Sequence, residues 1–308
     1  MTVTGRPRRG RPVCLPWGTM RDQYKNSIQN LWDLMDPCTL CPRECKVNRN
    51  KGETGFCGIG DKPIVSSVGP HFGEESVLVG SGGSGTIFFA GCNLGCVFCQ
   101  NFDISHHRHG HPTTIEQLAQ SMLELQYCGC CNINFVTPTH VAPAIVAALK
   151  MAREEGLTLP TVYNTGGYDL VETLKLLEGF IDIYMPDMKY ADPKVAEELS
   201  AAPDYPQVNR EAVKEMHRQV GDLKTNRGLA TRGLLVRHLV LPENLAGSFE
   251  IIDFLAGQIS PKTTINVMDQ YRPCYKASSH PKINRRPTTE EIQSVRRYAI
   301  QKGLNVLL

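Results

Sequence analysis

The chain has 308 residues, is 41% hydrophobic and 21% charged, and carries a formal net charge of +2. That balance argues against a dedicated nucleic-acid binder, and no run nears the roughly 18 consecutive apolar residues of a membrane span. Twelve cysteines, in a chain long enough to build its own core and without an export signal, are expected as metal ligands in a reducing, oxygen-poor cytoplasm rather than as a disulfide scaffold.

In chain order, residues 1–30 open with MTVTGRPRRGRPVC, a basic stretch lacking the apolar segment of a secretory signal, and read as an N-terminal arm. Residues 31–85 read as a small cysteine-rich metal-binding module. Its thiols follow the spacing Cys38-x2-Cys41-x3-Cys45-x11-Cys57, within the glycine-rich context KGETGFCGIG. Four soft ligands close either a tetrahedral zinc site or a fully ligated 4Fe–4S cluster, and the spacing fits both. In PHFGEES, near the end of this module, His71, Glu74 and Glu75 are candidate contacts to a cluster or substrate.

Residues 86–308 alternate β-rich runs with helical patterns. The strand-like runs lie at 86–91, 132–137, 161–165, 181–187, 234–241 and 263–268, several of them nearly continuous in apolar or β-branched residues, as parallel strands covered on both faces are. Ile115, Leu118, Ala119, Met122 and Leu125 share one helical face, and helices are expected at 141–150, 208–220, 246–258 and 288–302. Thr113 with Glu116 and Thr288 with Glu291 read as capping boxes, and Asp169 with Glu172 as a near match. Six strand–helix units in sequence imply an α/β protein, a partial (β/α)6 TIM-like barrel or an open doubly wound sheet. In either, chemistry belongs at the C-terminal strand ends.

The motif GCNLGCVFCQN comes immediately after the first of these strands. Spacings of four and three let the thiolates of Cys92, Cys96 and Cys99 converge from one loop onto neighbouring irons of a 4Fe–4S cluster. Three protein ligands for four irons leave one iron open to a substrate or cofactor, whereas structural clusters usually take four cysteines. Phe98 is placed to shield such a cluster. The bland alternative is three buried or zinc-binding cysteines.

CxxxC followed by an aromatic-x-C after a first parallel strand resembles the radical S-adenosylmethionine (SAM) superfamily. The resemblance implies that the open iron is chelated by SAM, which is cleaved reductively to methionine and a 5′-deoxyadenosyl radical. SGGSGTIFFAGCNLGCVFCQN, VYNTGG, IDIYMPDMKY and LLVRHLVLP further resemble the pyruvate formate-lyase activating enzyme-like group, from Leu78 to the C-terminus. That closer resemblance implies that Asp187, Lys189 and Arg237 contact SAM, with Asn164 and Thr165 as polar neighbours. It also implies a monovalent cation near Asn164, Thr165, Met185 and Asp187, although Asn164 stands where the family has a carboxylate. The family's G-G-E-P is replaced by NFVTPTH, leaving Thr139 among the few oxygen donors there. The implied partners are SAM, a reducing protein such as flavodoxin or ferredoxin, and a protein substrate carrying a glycine loop. The alternatives are radical modification of a small molecule or peptide, and a non-catalytic zinc or iron–sulfur protein. Glu215, His217 and Arg218 are further candidates for substrate contact. Cys128, Cys130 and Cys131 read as small buried residues, and the run His106–His111 reads as a solvated loop.

Overall fold

The computed structural model describes residues 21–307; most of the segment assigned to an arm lies outside them. Helix α1 (Arg21–Asp33) begins within that segment and leads into the cysteine-rich loops. Strand β1 (Ile64–His71), the short α2 (Ser76–Val79) and β2 (Ser84–Phe89) come after them. Next are α3 (Phe102–Ser105), β3 (His111–Pro112), α4 (Ile115–Tyr127), β4 (Ile133–Val136), α5 (Ala142–Glu154), β5 (Thr161–Thr165), α6 (Val171–Leu176) and β6 (Ile183–Pro186). The chain ends with α7 (Pro193–Ser200), α8 (Tyr205–Val220), β7 (Lys224–Asn226), β8 (Leu229–Leu239), α9 (Ser248–Phe254), β9 (Thr264–Met268), α10 (Thr289–Gln301) and β10 (Asn305–Leu307).

The six expected strands are β2, β4, β5, β6, β8 and β9, and they run parallel in the order β9-β8-β6-β5-β4-β2. The result is the mixed α/β partial barrel. Beyond the expectation, β10 extends the sheet in parallel on one side, and β1 pairs antiparallel with β2 on the other. The cysteine-rich segment is therefore tied into the sheet, and Leu31, Cys38, Leu40, Cys57 and Ile59 share the main apolar core. No helix among the described residues is long and apolar enough to cross a membrane.

Side-chain alternation along the strands explains how the barrel is filled. Ile87, Phe89, Phe135, Tyr163, Tyr184, Leu234, Val236, Ile265 and Val267 join the core beneath the helices. Their neighbours Val162, Ile183, Met185 and Leu235 belong to a second cluster, completed by Leu78 of α2. The segment between β1 and β2 thus folds into the lower barrel as a plug. Complete burial of Leu78 contributes about 1.5–3 kcal/mol towards holding it there.

Two capping expectations need correction. The α4 cap is Thr114 with Gln117, one residue later than Thr113 with Glu116. Asp169 does not cap α6, whose N-cap is Leu170; its carboxylate is engaged by buried hydroxyls instead. The box of Thr288 with Glu291 forms as expected.

Candidate active site

Beyond β2 the chain turns at Gly91, with φ +80°. A Cβ there would stand 2.7 Å from the Cys57 carbonyl oxygen and from the Ile59 side chain, so only glycine lets the adjoining loop pack this closely. The loop gathers Cys92, Cys96 and Cys99, whose sulfurs interact electrostatically with one another. Each has a polar neighbour. The Leu94 N–H donates to Cys92 Sγ at 3.3 Å, the Ser200 hydroxyl donates to Cys96 Sγ at 2.9 Å, and Ser105 Oγ lies 3.1 Å from Cys99 Sγ.

Burial pushes the Cys92 thiol up to about 12, with Cys96 and Cys99 adding to it. Burial raises Cys96 as well, against the pull of the Lys189 ammonium. Crowded, dry thiols of this kind give up their protons to a cationic metal group, and hydrogen bonds to sulfur are a means by which proteins tune a cluster. The donor set therefore fits an iron–sulfur cluster. Phe98 is buried edge-on to Tyr190 and Tyr271 at ring-centroid distances of 6.5 and 5.6 Å. His106 stacks on Tyr275 at 4.6 Å, with Nε2 3.2 Å from the Cys96 carbonyl oxygen. That part of the histidine-rich loop supports the thiols and is not simply solvated.

A cavity of about 230 Å³ opens between the thiols and the strand ends, lined by Cys96, Cys99, Asp187, Lys189, Arg237 and Met268, among others. Lys189 Nζ donates to Asp187 Oδ2 at 2.6 Å, and Arg237 Nε to Asp187 Oδ1 at 2.9 Å. Burial alone would raise the Asp187 carboxyl, but the two cations outweigh it and hold the group below its usual range. Arg237 Nη2 also donates to Asn164 Oδ1 at 2.7 Å. A guanidinium thus spans Asn164 and Asp187, close to the place where the resemblance implied a monovalent cation. The turn after β5 allows this closeness: at Gly167 (φ +75°) a Cβ would lie 2.2 Å from the Asp187 carbonyl oxygen.

Beneath Arg237 lies the plug. Glu74 Oε2 is 3.9 Å from Arg237 Nη1, and the Glu74 side chain is only 8% exposed. Burial lifts Glu74 to about 7 against the opposing charge of Arg237, and neighbouring Glu75 adds to the rise. Glu75 Oε1 accepts from Asn266 Nδ2 at 3.1 Å. Of the PHFGEES candidates, the two glutamates reach the polar centre, whereas His71 packs edge-on against Phe88.

Thr139 and Thr165 are brought together but spent on each other's surroundings. Both donate to Asp169, at 2.7 Å each, and Tyr163 OH donates to the same carboxylate at 3.2 Å. Neither threonine lines the cavity. Arg218 pairs with both Glu215 and Glu178, and His217 pairs with Asp222. Helix α8 packs over β6 and β8 as a covering helix, so these three stand away from the cavity. Of the other cysteines, Cys130 is buried but Cys128 is exposed. Sequence reasoning missed Ser200 and Ser105, which carry no local motif, and took Asp169 for a helix cap; Ser200 and Asp169 meet their partners only through the fold.

The four N-terminal thiols also lie near enough to feel one another's charge. Cys41 interacts with Cys38 and Cys57, and Cys57 with Cys38 and Cys45. The Phe56 N–H donates to Cys45 Sγ at 3.3 Å. A Cβ on Gly55 would lie 2.5 Å from that sulfur, so the glycine keeps room for it. Among the described residues, no three cysteine, histidine or acidic side chains close on one point as ligands of a single ion do.

Residues 86–239 match the family described as the Radical SAM superfamily. An uncharacterised protein of Methanocaldococcus jannaschii is 35% identical over 280 residues, covering 88% of this chain and 76% of its own. A second from the same organism is 24% identical over 295 residues, covering 87% and 78%. Among solved structures, a radical SAM methyltransferase from Sphaerobacter thermophilus aligns with a TM-score of 0.48 at 17% identity, over 72% of this chain and 65% of that one. HydG, a maturase of the [FeFe]-hydrogenase, aligns with a TM-score of 0.48 at 11% identity, over 94% and 66%.

Proposed function

Given that the chain belongs to the radical SAM superfamily, we propose that it reductively cleaves S-adenosylmethionine at a 4Fe–4S cluster held by Cys92, Cys96 and Cys99, and uses the 5′-deoxyadenosyl radical to abstract hydrogen from a substrate. A 4Fe–4S cluster and SAM are typical of that superfamily. The observation that carries the reading is the shared cavity in which Cys96 and Cys99 face Asp187, Lys189 and Arg237. When bound, the cluster supplies one electron to the SAM sulfonium.

The chain's own residues hold and orient. Both Asp187 oxygens are occupied, one by Arg237 and one by Lys189, so its work is to aim two cations at the cavity. Arg237 spends Nε and Nη2 on Asp187 and Asn164, while its Nη1 stands 3.9 Å from Glu74 Oε2, beyond hydrogen-bond distance, and can turn its donors to a cofactor carboxylate. Lys189 keeps two of its three donors for the same purpose. The apolar ring of Phe98, with Tyr190 and Tyr271 behind it, excludes water from the thiol side.

The D-x-K and arginine strands support a pyruvate formate-lyase activating enzyme-like assignment. On that reading the substrate is a glycine loop of a partner protein entering the barrel's open side. The four N-terminal cysteines then hold a second metal centre. The test is anaerobic reconstitution, reduction with dithionite and chromatography for 5′-deoxyadenosine. Cys96→Ala should abolish it; absence of product from the wild type with its cluster intact and reduced would overturn the proposal.

A further inference from the structure

The two cysteine groups are distant in sequence but share contacts. Asn93, the residue between Cys92 and Leu94, is buried, and its side-chain amide lies beside the Cys41 thiol and opposes the rise that burial imposes on it. A hydrogen bond from Nδ2 to the Tyr168 carbonyl oxygen at 2.6 Å fixes its orientation. Arg43, two residues past Cys41, donates from Nε to the Asn93 carbonyl oxygen at 2.8 Å and from Nη2 to the Ser200 carbonyl oxygen at 3.2 Å. Ser200 is the residue whose hydroxyl donates to Cys96. The Arg43 guanidinium also lies over the Phe56 ring at 3.8 Å.

The opposite edge of the same thiol group faces outwards. Cys45 is partly exposed between exposed Glu44 and Lys46, and Phe56 beside it is 42% exposed. One side of the group is thus open to an approaching protein, and the other touches the loop that carries Cys92 and Cys96. A structural staple has no need of both. The cavity is lined by Cys96 and Cys99 of that loop and by none of the four N-terminal cysteines.

We propose that Cys38, Cys41, Cys45 and Cys57 hold a fully ligated iron–sulfur cluster that accepts single electrons near Cys45 and passes them, across Cys41 and Asn93, to the cluster at Cys92, Cys96 and Cys99. This rests on the proposed function for its acceptor. In each transfer a one-electron protein reductant of the flavodoxin or ferredoxin type is oxidised and the N-terminal cluster reduced. That cluster is then reoxidised as the second one takes the electron, and no covalent bond or proton changes place. Thiolates from four cysteines complete such a cluster, whereas three leave an iron open. With Cys45 partly exposed and Arg43 bonded to the loop that carries Cys92 and Cys96, the four thiols are placed for an electron carrier, which zinc, having no redox chemistry, is not.

Two measurements test this without SAM, so their failure is distinct from failure of the cleavage chemistry. First, the triple variant Cys92→Ala, Cys96→Ala, Cys99→Ala is reconstituted with iron, sulfide and zinc together, then analysed for both metals. About four irons per chain and a reduced-cluster electron paramagnetic resonance signal are expected; one zinc and no iron overturns the proposal. Should that variant not fold, the wild type decides, with about eight irons expected and about four overturning it. Second, freeze-quench resonance follows reduction of the wild type and of Asn93→Ala, which keeps all seven thiols, by reduced flavodoxin. In the wild type the N-terminal signal should rise first and the second come after it. In Asn93→Ala the second should lag while dithionite, a small direct reductant, still reduces both. Equal flavodoxin-driven rates in both proteins, or reduction of the Cys92 cluster first, overturn the relay.

Discussion

Replacing Glu74 with glutamine should change how stability depends on pH. In the fold, burial raises the Glu74 carboxyl from 4.5 to about 7. Between these values the folded chain keeps a proton that the unfolded chain has released, so stability falls as pH rises through that window and levels off above about 7. At 1.36 kcal/mol for each tenfold in proton affinity, the full loss is about 3 kcal/mol. The side chain is only 8% exposed, so solvent screening removes little of this. The Glu74→Gln side chain is a neutral amide of nearly the same shape with no titrating proton, and it leaves Arg237 its bonds to Asp187 and Asn164. Urea unfolding under anaerobic conditions, between about pH 5 and about pH 8, gives both profiles. Glu74→Gln should be flatter by most of that amount and more stable than the wild type at the alkaline end. Parallel profiles would refute a buried, proton-holding Glu74 beneath Arg237.

Arg237→Lys cannot bridge Asp187 and Asn164 while pointing a third donor at the cavity, and should weaken SAM binding about tenfold, read by equilibrium dialysis on the reconstituted protein. Asp169→Asn turns an acceptor of three hydroxyls into a group with one acceptor and one donor pair. It should cost about 2 kcal/mol in urea unfolding, with little direct effect on the cavity. Ser200→Ala removes the hydrogen bond to Cys96 and should lower the potential of the Cys92 cluster by a few tens of millivolts in a redox titration, since the bond favours the more negative, reduced state.

What the sequence disclosed depended on how local the physics was. The run at 161–165 is β-branched or aromatic at every position but Asn164 and lies between helical patterns, and β5 occupies those same residues. The 4-3 cysteine spacing after an apolar strand announces its loop for the same reason: all its information sits within eleven residues. The α4 cap falls one position past the expected Thr113 because Thr113 and Thr114 each have an acid or amide three residues on, and only the packing of α4 chooses between them. Asp169 misleads because a carboxylate ahead of an apolar run looks like a cap, while its actual partners Thr139 and Thr165 come from strand ends brought together by the sheet. The contacts of Arg43 with Asn93 and Ser200 span 50 and 157 residues and leave no periodic trace. In sequence Glu74 and Glu75 are only acids before a strand; that their loop turns into the barrel depends on Leu78 finding Val162, Ile183 and Leu235.

That inward turn makes the barrel a vessel with a stopper in its base. Whatever chemistry proceeds at the upper rim, reactants and spent products must use the same doorway. Traffic through it becomes a queue: a bulky guest seated at the mouth detains everything lodged deeper, and its departure is what empties the chamber. If the proposed chemistry runs there, a vessel stopped at its base gives a reactive species one direction in which to escape, towards whatever is seated at the mouth.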